Sequence, residues 1–403
     1  MNRNLGEQGR GIGGGLGVFN QFVADTPLFR DCVFKHNYAA EGGGGVAVEN
    51  GSGPVDFIDC TFESNVAPVD SEGAGAYVIG LDSVSEYVTF VNCTFRDNHA
   101  FSGVNNVGGL SARINARVRL WNSLFAGNIA HGLGAGAISV RRFASLEAVN
   151  CTIAGNTGSN APGGVSVNTT GTVNIYNSIL WYDSTPEIGG STDANVEWSN
   201  VRGGWTGPGG DNIDADPKFV DMPNGDFRLD AANNSPSIDQ GSIAELPCNE
   251  YWEELGTGGV PAPGCTPVQE RISVDGHLLP RVANFPCGIV DQGAYEHQPE
   301  PEEKCADFND DHVVDVSDLL ILLSAWGPCG DPCNSCDEDL NSDGAVDVSD
   351  LLILLSRWGL PCDSLLTGLE VPETVQDCYD LYFDPVNPIK YEACLEMLQR
   401  LEE

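Results

Sequence analysis

The sequence predicts a mainly β chain: a coil of short parallel strands, followed by a small all-α acidic module that repeats itself. Three observations carry this reading. Apolar residues alternate at period two through most of the first 200 positions; one short motif recurs every 27 to 33 residues; and DFNDDHVVDVSDLLILLSAWG returns 32 positions later as DLNSDGAVDVSDLLILLSRWG.

The recurring motif reads DCVFKHN (31–37), DCTFESN (59–65), NCTFRDN (92–98), NSLFAGN (122–128), NCTIAGN (150–156) and NSILWYD (177–183). A period in this range belongs to solenoids and arrays. Each unit opens on a glycine-rich stretch leading into an alternating strand, as in GGGGVAV (42–48), GAGAYVIG (73–80), GAGAISV (134–140) and GGVSV (163–167). A second alternating strand follows (VDFID, VTFVN, VRLWN, LEAVN, VNIYN) and runs into the motif. Alternation at period two marks strands with one buried face, and none of these segments has helical spacing.

Stacked in register, Val55, Val88, Val118, Leu146 and Val173 form one inward column, and Phe57, Phe90, Leu120, Ala148 and Ile175 another. Asp56, Thr89, Arg119, Glu147 and Asn174 then point outward, with Lys35, Glu63 and Arg96 alternating in sign on the next strand. Asn37, Asn65, Asn98, Asn128 and Asn156 form an asparagine ladder at a turn. Cys32, Cys60, Cys93, Ser123, Cys151 and Ser178 form a column of small buried residues. Coils about 4.8 Å apart fall inside the Cα range a disulfide allows. Stacked side chains point the same way, however, and buried free cysteine packs as a small hydrophobe, so free thiols are expected.

Fifty-eight acidic against 19 basic residues give a net charge of −39. Such a surface repels nucleic acid and anionic membranes, and no apolar run reaches the ~18 residues of a membrane span. The fourteen cysteines, seven of them after position 304, favour an oxidising, extracytoplasmic setting. MNRNLGEQGRGIGGG carries no secretion signal. The expectation is therefore that the chain starts inside a longer secreted or surface protein; a cytoplasmic origin is the competing explanation.

These features resemble the right-handed parallel β-helix of bacterial surface proteins and of pectate-lyase-like enzymes, over residues 1–190. The stretch 191–297, with GDFRLDAANNSPSIDQG and VDQGAYEHQ, is similar to the closing section of secreted choice-of-anchor-type proteins. It reads as the final coils plus a cap. QPEPEEK (298–304) has linker composition.

The resemblance leaves open whether the solenoid is catalytic. Glycoside hydrolysis needs two facing carboxylates, and lyase chemistry at a uronate needs a strong base. The polygalacturonase set (NTD, DD, GHG, RIK) and the pectate lyase arginine motif are absent. His131 in AHGLGAG reads as a turn histidine. Arg113, Arg117, Arg119, Arg141 and Arg142 offer either a groove for an anionic glycan or ordinary surface charge, and Glu147 beside Arg119 favours the latter.

In the duplicated stretch, Asp307, Asn309, Asp311, Asp315 and Asp318 occupy positions 1, 3, 5, 9 and 12 of a twelve-residue loop, and Asp339, Asn341, Asp343, Asp347 and Asp350 repeat them. Calcium takes six to eight hard oxygens, and this spacing wraps the chain around one ion, with the carbonyls of Val313 and Ala345 at position 7. Two calcium sites are expected. Position 6 needs a sharp turn that Gly344 accepts, whereas the first loop has His312 and should bind more weakly.

A loop followed by one exiting helix, repeated, resembles the dockerin module of cellulosomes and related secreted proteins, here 305–362. That resemblance implies a cohesin-like partner contacting Val316, Ser317, Val348, Ser349 and the helices after them; the alternative is that the helices pack on each other as an end module. Cys305 with Cys329 and Cys336 with Cys362 bracket the two units and are the expected pairs, with Cys333 unassigned. Residues 363–403 read as a helical hairpin tail, with Cys378 and Cys394 placed to staple it. The function expected is that of a non-catalytic protein presenting its solenoid to glycans or proteins. A polysaccharide lyase or hydrolase delivered through the module is the alternative.

Overall fold

The chain divides into two compact units, Met1–Glu300 and Pro301–Glu403. The computed structural model describes residues 13–20, 27–50, 54–68, 72–80, 86–101, 103, 105–168, 170–190, 194–242 and 290–295 of the first, and 306–309, 311, 313–329, 337–340 and 345–359 of the second. Among them no helix is long and apolar enough to cross a membrane.

The first unit is a parallel β-solenoid. Three seven-stranded parallel sheets run along it: one from Leu16–Asn20 to Ile188–Gly190, one from Leu28–Arg30 to Ala194–Glu197, and one from Val33–Lys35 to Asn200–Val201. A fourth, of four short strands, begins at Val66–Ala67 and ends at Thr157–Gly158. The expected register holds: Val55, Val88, Val118, Leu146 and Val173 face one another coil by coil, as do Phe57, Phe90, Leu120, Ala148 and Ile175, and all are buried.

Two aromatic columns fill the early coils. Phe29, Phe57 and Phe90 stack at 4.9 and 5.0 Å, and Phe34, Phe62, Phe95 and Phe125 at 5.1, 4.3 and 4.4 Å. Edge-to-face contacts at 5.4–6.2 Å join the columns, a geometry that suits the ring quadrupole.

Each coil turns its corners on single left-handed residues. One set, immediately before the cysteine column, is Asp31, Asp59, Asn92, Asn122, Asn150, Asn177 and Trp198, with φ between 48° and 54°. The left-handed region costs an ordinary residue about 1–2 kcal/mol, and Asn and Asp tolerate it best. The letters D and N opening each motif are therefore turn residues.

The cysteine column is inward. Cys60, Cys93, Cys151, Ser123 and Ser178 are buried, Cys32 is half-buried, and the four thiols are free. Sγ–H of Cys60, Cys93 and Cys151 donates to the carbonyl two residues back. Cys93 and Cys32 flank the Cys60 sulfur and hold its thiol below the ordinary value, while burial pushes Cys93 up.

Each asparagine of the ladder accepts at Oδ1 from both the backbone N–H and the Nδ2 of the previous one, for Asn37→Asn65, Asn65→Asn98, Asn98→Asn128 and Asn128→Asn156. Nδ2 of Asn65, Asn98, Asn128 and Asn156 also donates to Phe34, Phe62, Phe95 and Phe125 carbonyls. The amide dipoles thus align head to tail. The ladder ends on Asp183, whose Oδ1 accepts from Asn156 N at 2.6 Å and Nδ2 at 2.8 Å. A carboxylate there meets the positive end of the row, as an acid does at a helix N-terminus.

The outward face is partly covered: Asp56 and Thr89 are buried on it, as are Ile58, Val91, Trp121 and Val149, beside Tyr176. After 191 the strands continue through Val201, and the backbone at 208–213 lays a further pass on them: Val196 N donates to Pro208 O, Trp198 N to Gly210 O and Val201 N to Ile213 O. Beyond it an antiparallel hairpin, Phe219–Asp221 with Asp226–Leu229, lies against the outside of the third sheet. Phe227 packs on Leu124, Ala126 and Ala154, and Leu229 on Ile179 and Trp181. This explains why those outward positions are apolar, whereas earlier coils carry Lys35, Glu63 and Arg96 there, paired at 2.7 and 3.0 Å. The strip 290–295 returns beside them: Gly241 N donates to Val290 O, Asp239 N to Asp291 Oδ1, and Gln292 Nε2 to Trp198 O.

Candidate functional site

The two acidic loops close in the same way. In each, the acid at position 12 is fully buried and both its oxygens accept backbone N–H groups: Asp318 from Phe308 (2.7 Å) and Asp315 (2.8 Å), Asp350 from Leu340 (2.8 Å) and Asp347 (2.8 Å). Position 9 caps the helix that follows. Asp315 Oδ1 accepts from Ser317 N and Asp347 Oδ1 from Ser349 N, each completing a capping box. The helices are α1, Val316–Ser324, and α2, Val348–Ser356. A short antiparallel pair, Gly327–Pro328 with Ala345–Val346, lies between them in sequence.

In the first loop the oxygens of positions 1 and 3 converge on position 5. Asp311 N donates to Asp307 Oδ1 (3.2 Å) and Asn309 Oδ1 (3.0 Å), and Asn309 Nδ2 donates to Asp311 Oδ2. Val313 N donates to Asp311 Oδ1. In the second loop Asp339 is buried, Ala345 and Asp347 are half-buried, and Asn341 and Asp343 lie outside the described residues, as do His312 and Gly344. Among the described residues no three acidic, histidine or cysteine side chains form a metal-holding group. The donors are carboxylate, amide and carbonyl oxygens with no soft ligand, the chemistry of a hard cation such as calcium. Each position-12 oxygen has a lone pair beyond the backbone bond it accepts, so the donor set fits.

The leucines divide into two sets, and only one of them takes part in packing between the helices. Leu322 and Leu354 are buried with Ala306, Val314, Leu340 and Val346, and Leu319 and Leu351 pack against them. Leu320, Leu323, Leu352 and Leu355 face out. With Val316, Trp326, Val348 and Trp358 they make two exposed stripes at i, i+4, i+7 and i+10: exposures of 55, 62, 46 and 48 % in the first are matched by 57, 62, 47 and 44 % in the second. Ser317 and Ser349 are half-buried beside them. Of the bracketing cysteines only Cys329 is described, and it is disulfide-bonded. The tail 363–403 lies outside the described residues.

On the solenoid three of the five arginines pair with two acids. Arg113 Nη1 and Arg141 Nη2 both reach the buried Glu72 at 2.6 Å. Arg119 lies 3.6 Å from Glu147 and over the Tyr87 ring, and Arg117 donates to Tyr87 Oη at 2.6 Å. Arg142 is exposed at a left-handed turn. His131 is an exposed turn residue stacked on Phe101, ring centroids 5.8 Å apart. Comparison with protein-family models, curated proteins and solved structures returns no match to this chain.

Proposed function

We propose that this is a secreted or cell-surface bacterial protein with a right-handed parallel β-helix, non-catalytic, that presents its solenoid to glycans or other proteins. A calcium-dependent dockerin-like module attaches it to a cohesin-like partner. The observation that carries the reading is the pair of matched apolar stripes along α1 and α2, each following an acidic loop whose position-12 aspartate accepts the same pair of backbone N–H groups. Exposed apolar rows of this length mark interaction surfaces more often than idle surface. The Glu72 and Glu147 pairings support the non-catalytic half, because they occupy three of the five arginines a uronate site would draw on.

The attachment is tested with the full chain over immobilised cohesin modules, with calcium and with chelator. Binding should need calcium, and Leu320→Asp with Leu352→Asp should lower affinity by at least 100-fold, about 3 kcal/mol. Calcium-independent binding, or an unaffected double variant, sinks the attachment reading. The solenoid is tested separately against pectate, alginate, chondroitin and xylan. Retention without turnover is expected, and turnover abolished by Arg117→Ala, Arg119→Ala or His131→Ala would establish the enzyme instead.

A further inference from the structure

The asparagine ladder ends on two acids. Asp183 takes the ladder position of its coil, and Glu187 begins the next pass, just before Ile188 pairs with Val165. Both are at least 97 % buried. The two acids stand four residues apart at the ends of one turn, and neither has a proton to donate to the other when both are ionised. Accordingly Asp183 Oδ2 and both oxygens of Glu187 are buried without a partner. The surroundings offer little compensation. Asn156 supplies two N–H groups, both to Asp183 Oδ1; Gly163 and Gly164 of the adjacent coil present only backbone against the turn; and Arg202 is the cation that acts on Glu187.

We propose that Asp183 and Glu187 form a proton-dependent lock on the end of the solenoid: protons bound by the pair hold the turn 182–187 onto the coil beneath it, and their loss as pH rises loosens that end. Two carboxyls this close cannot both ionise at low cost in a dry site. Burial pushes Glu187 up to about 6, against the pull of Asp183 and Arg202; burial and then Glu187 push Asp183 well above the carboxylate range. The folded turn therefore holds a proton that the unfolded chain has released. Stability contributed here is present at acid pH and falls as pH rises from 4.5 through about 6.

The test is hydrogen exchange by mass spectrometry on the full chain from pH 4.5 to 7.5, corrected for intrinsic rates, in peptides covering 156–165 and 182–190. Peptides over 120–126, which hold no titratable side chain, serve as the internal control for the chain's overall charge. Protection at the lock should fall about 30-fold across the range, the ratio set by a carboxyl moving from 4.5 to about 6, while the control stays flat. Glu187→Gln should remove the dependence. Asp183→Asn, which extends the ladder by one amide, should do the same if the glutamine variant folds poorly. A dependence equal to wild type in both variants overturns the proposal. So does recovery of protection at pH 7.5 on adding calcium or potassium, which would make the pair a cation site.

Discussion

Asn98→Ala should destabilise the solenoid by about 3–5 kcal/mol, more than any surface change in the same coil. The amide is fully buried and makes four side-chain hydrogen bonds: Oδ1 accepts from Asn65 N and Nδ2, and Nδ2 donates to Phe62 O and Asn128 Oδ1. Alanine leaves the Asn65 backbone N–H and the Phe62 carbonyl with no described replacement, and each unsatisfied buried group costs about 1–3 kcal/mol. Asn98→Asp should cost more still, since a carboxylate cannot donate to Phe62 O and would place a charge against Asn128 Oδ1. The same exchange in reverse at the ladder's end, Asp183→Asn, should be neutral or stabilising at pH 7.5. Thermal melts at the β-sheet circular dichroism band decide between these. A loss below about 1 kcal/mol for Asn98→Ala would mean that water replaces the amide and the ladder carries little of the fold.

The ladder also shows what the letters disclose and what they hide. Columns were legible because a parallel coil stacks equivalent residues directly, so Val55, Val88 and Val118, or Asn65, Asn98 and Asn128, repeat at the coil period. The hairpin over the third sheet was not read, although its signal is present: the outward pair changes from Thr94 and Arg96 to Leu124 and Ala126 between neighbouring coils. Alternation alone says that a face is apolar and not what covers it. Asp183 closes NSILWYD where the other motifs close on Asn, and only the bonding row shows that the D takes the ladder position at a dipole's end. In the acidic module, spacing indicated the loop oxygens but could not divide LLILL into a buried and an exposed side. Both periodicities are satisfied by five apolar letters in a row, and the division comes from Asp318 and Asp350 fixing where each helix leaves its loop.

Those two aspartates lead to the second large effect. In excess chelator the stretch 306–359 should lose most of its helical protection, and calcium should restore it. It holds twelve acidic residues against one arginine, Arg357, and its core is small: Ala306, Val314, Leu322, Leu340, Val346 and Leu354 with a few half-buried neighbours. A core of that size barely offsets the ordering entropy. Asp318 and Asp350 add buried carboxyls that accept backbone N–H groups and whose burial as charges is costly without a cation nearby. At calcium a thousandfold above the dissociation constant each filled loop adds about 4 kcal/mol. Asp350→Ala should therefore leave α2 unprotected even with calcium, because it removes both the brace on Leu340 and Asp347 and a ligand. Between the loops, Asp343→Ala should be more damaging than Asp311→Ala, and His312→Gly should strengthen the first site, if the position-6 turn ranks the two. Hydrogen exchange over 316–324 and 348–356 of the full chain, together with calcium calorimetry, gives both readings. Full protection of both helices in chelator refutes the coupling of calcium to folding; equal affinities at the two loops refute the ranking and leave the coupling standing.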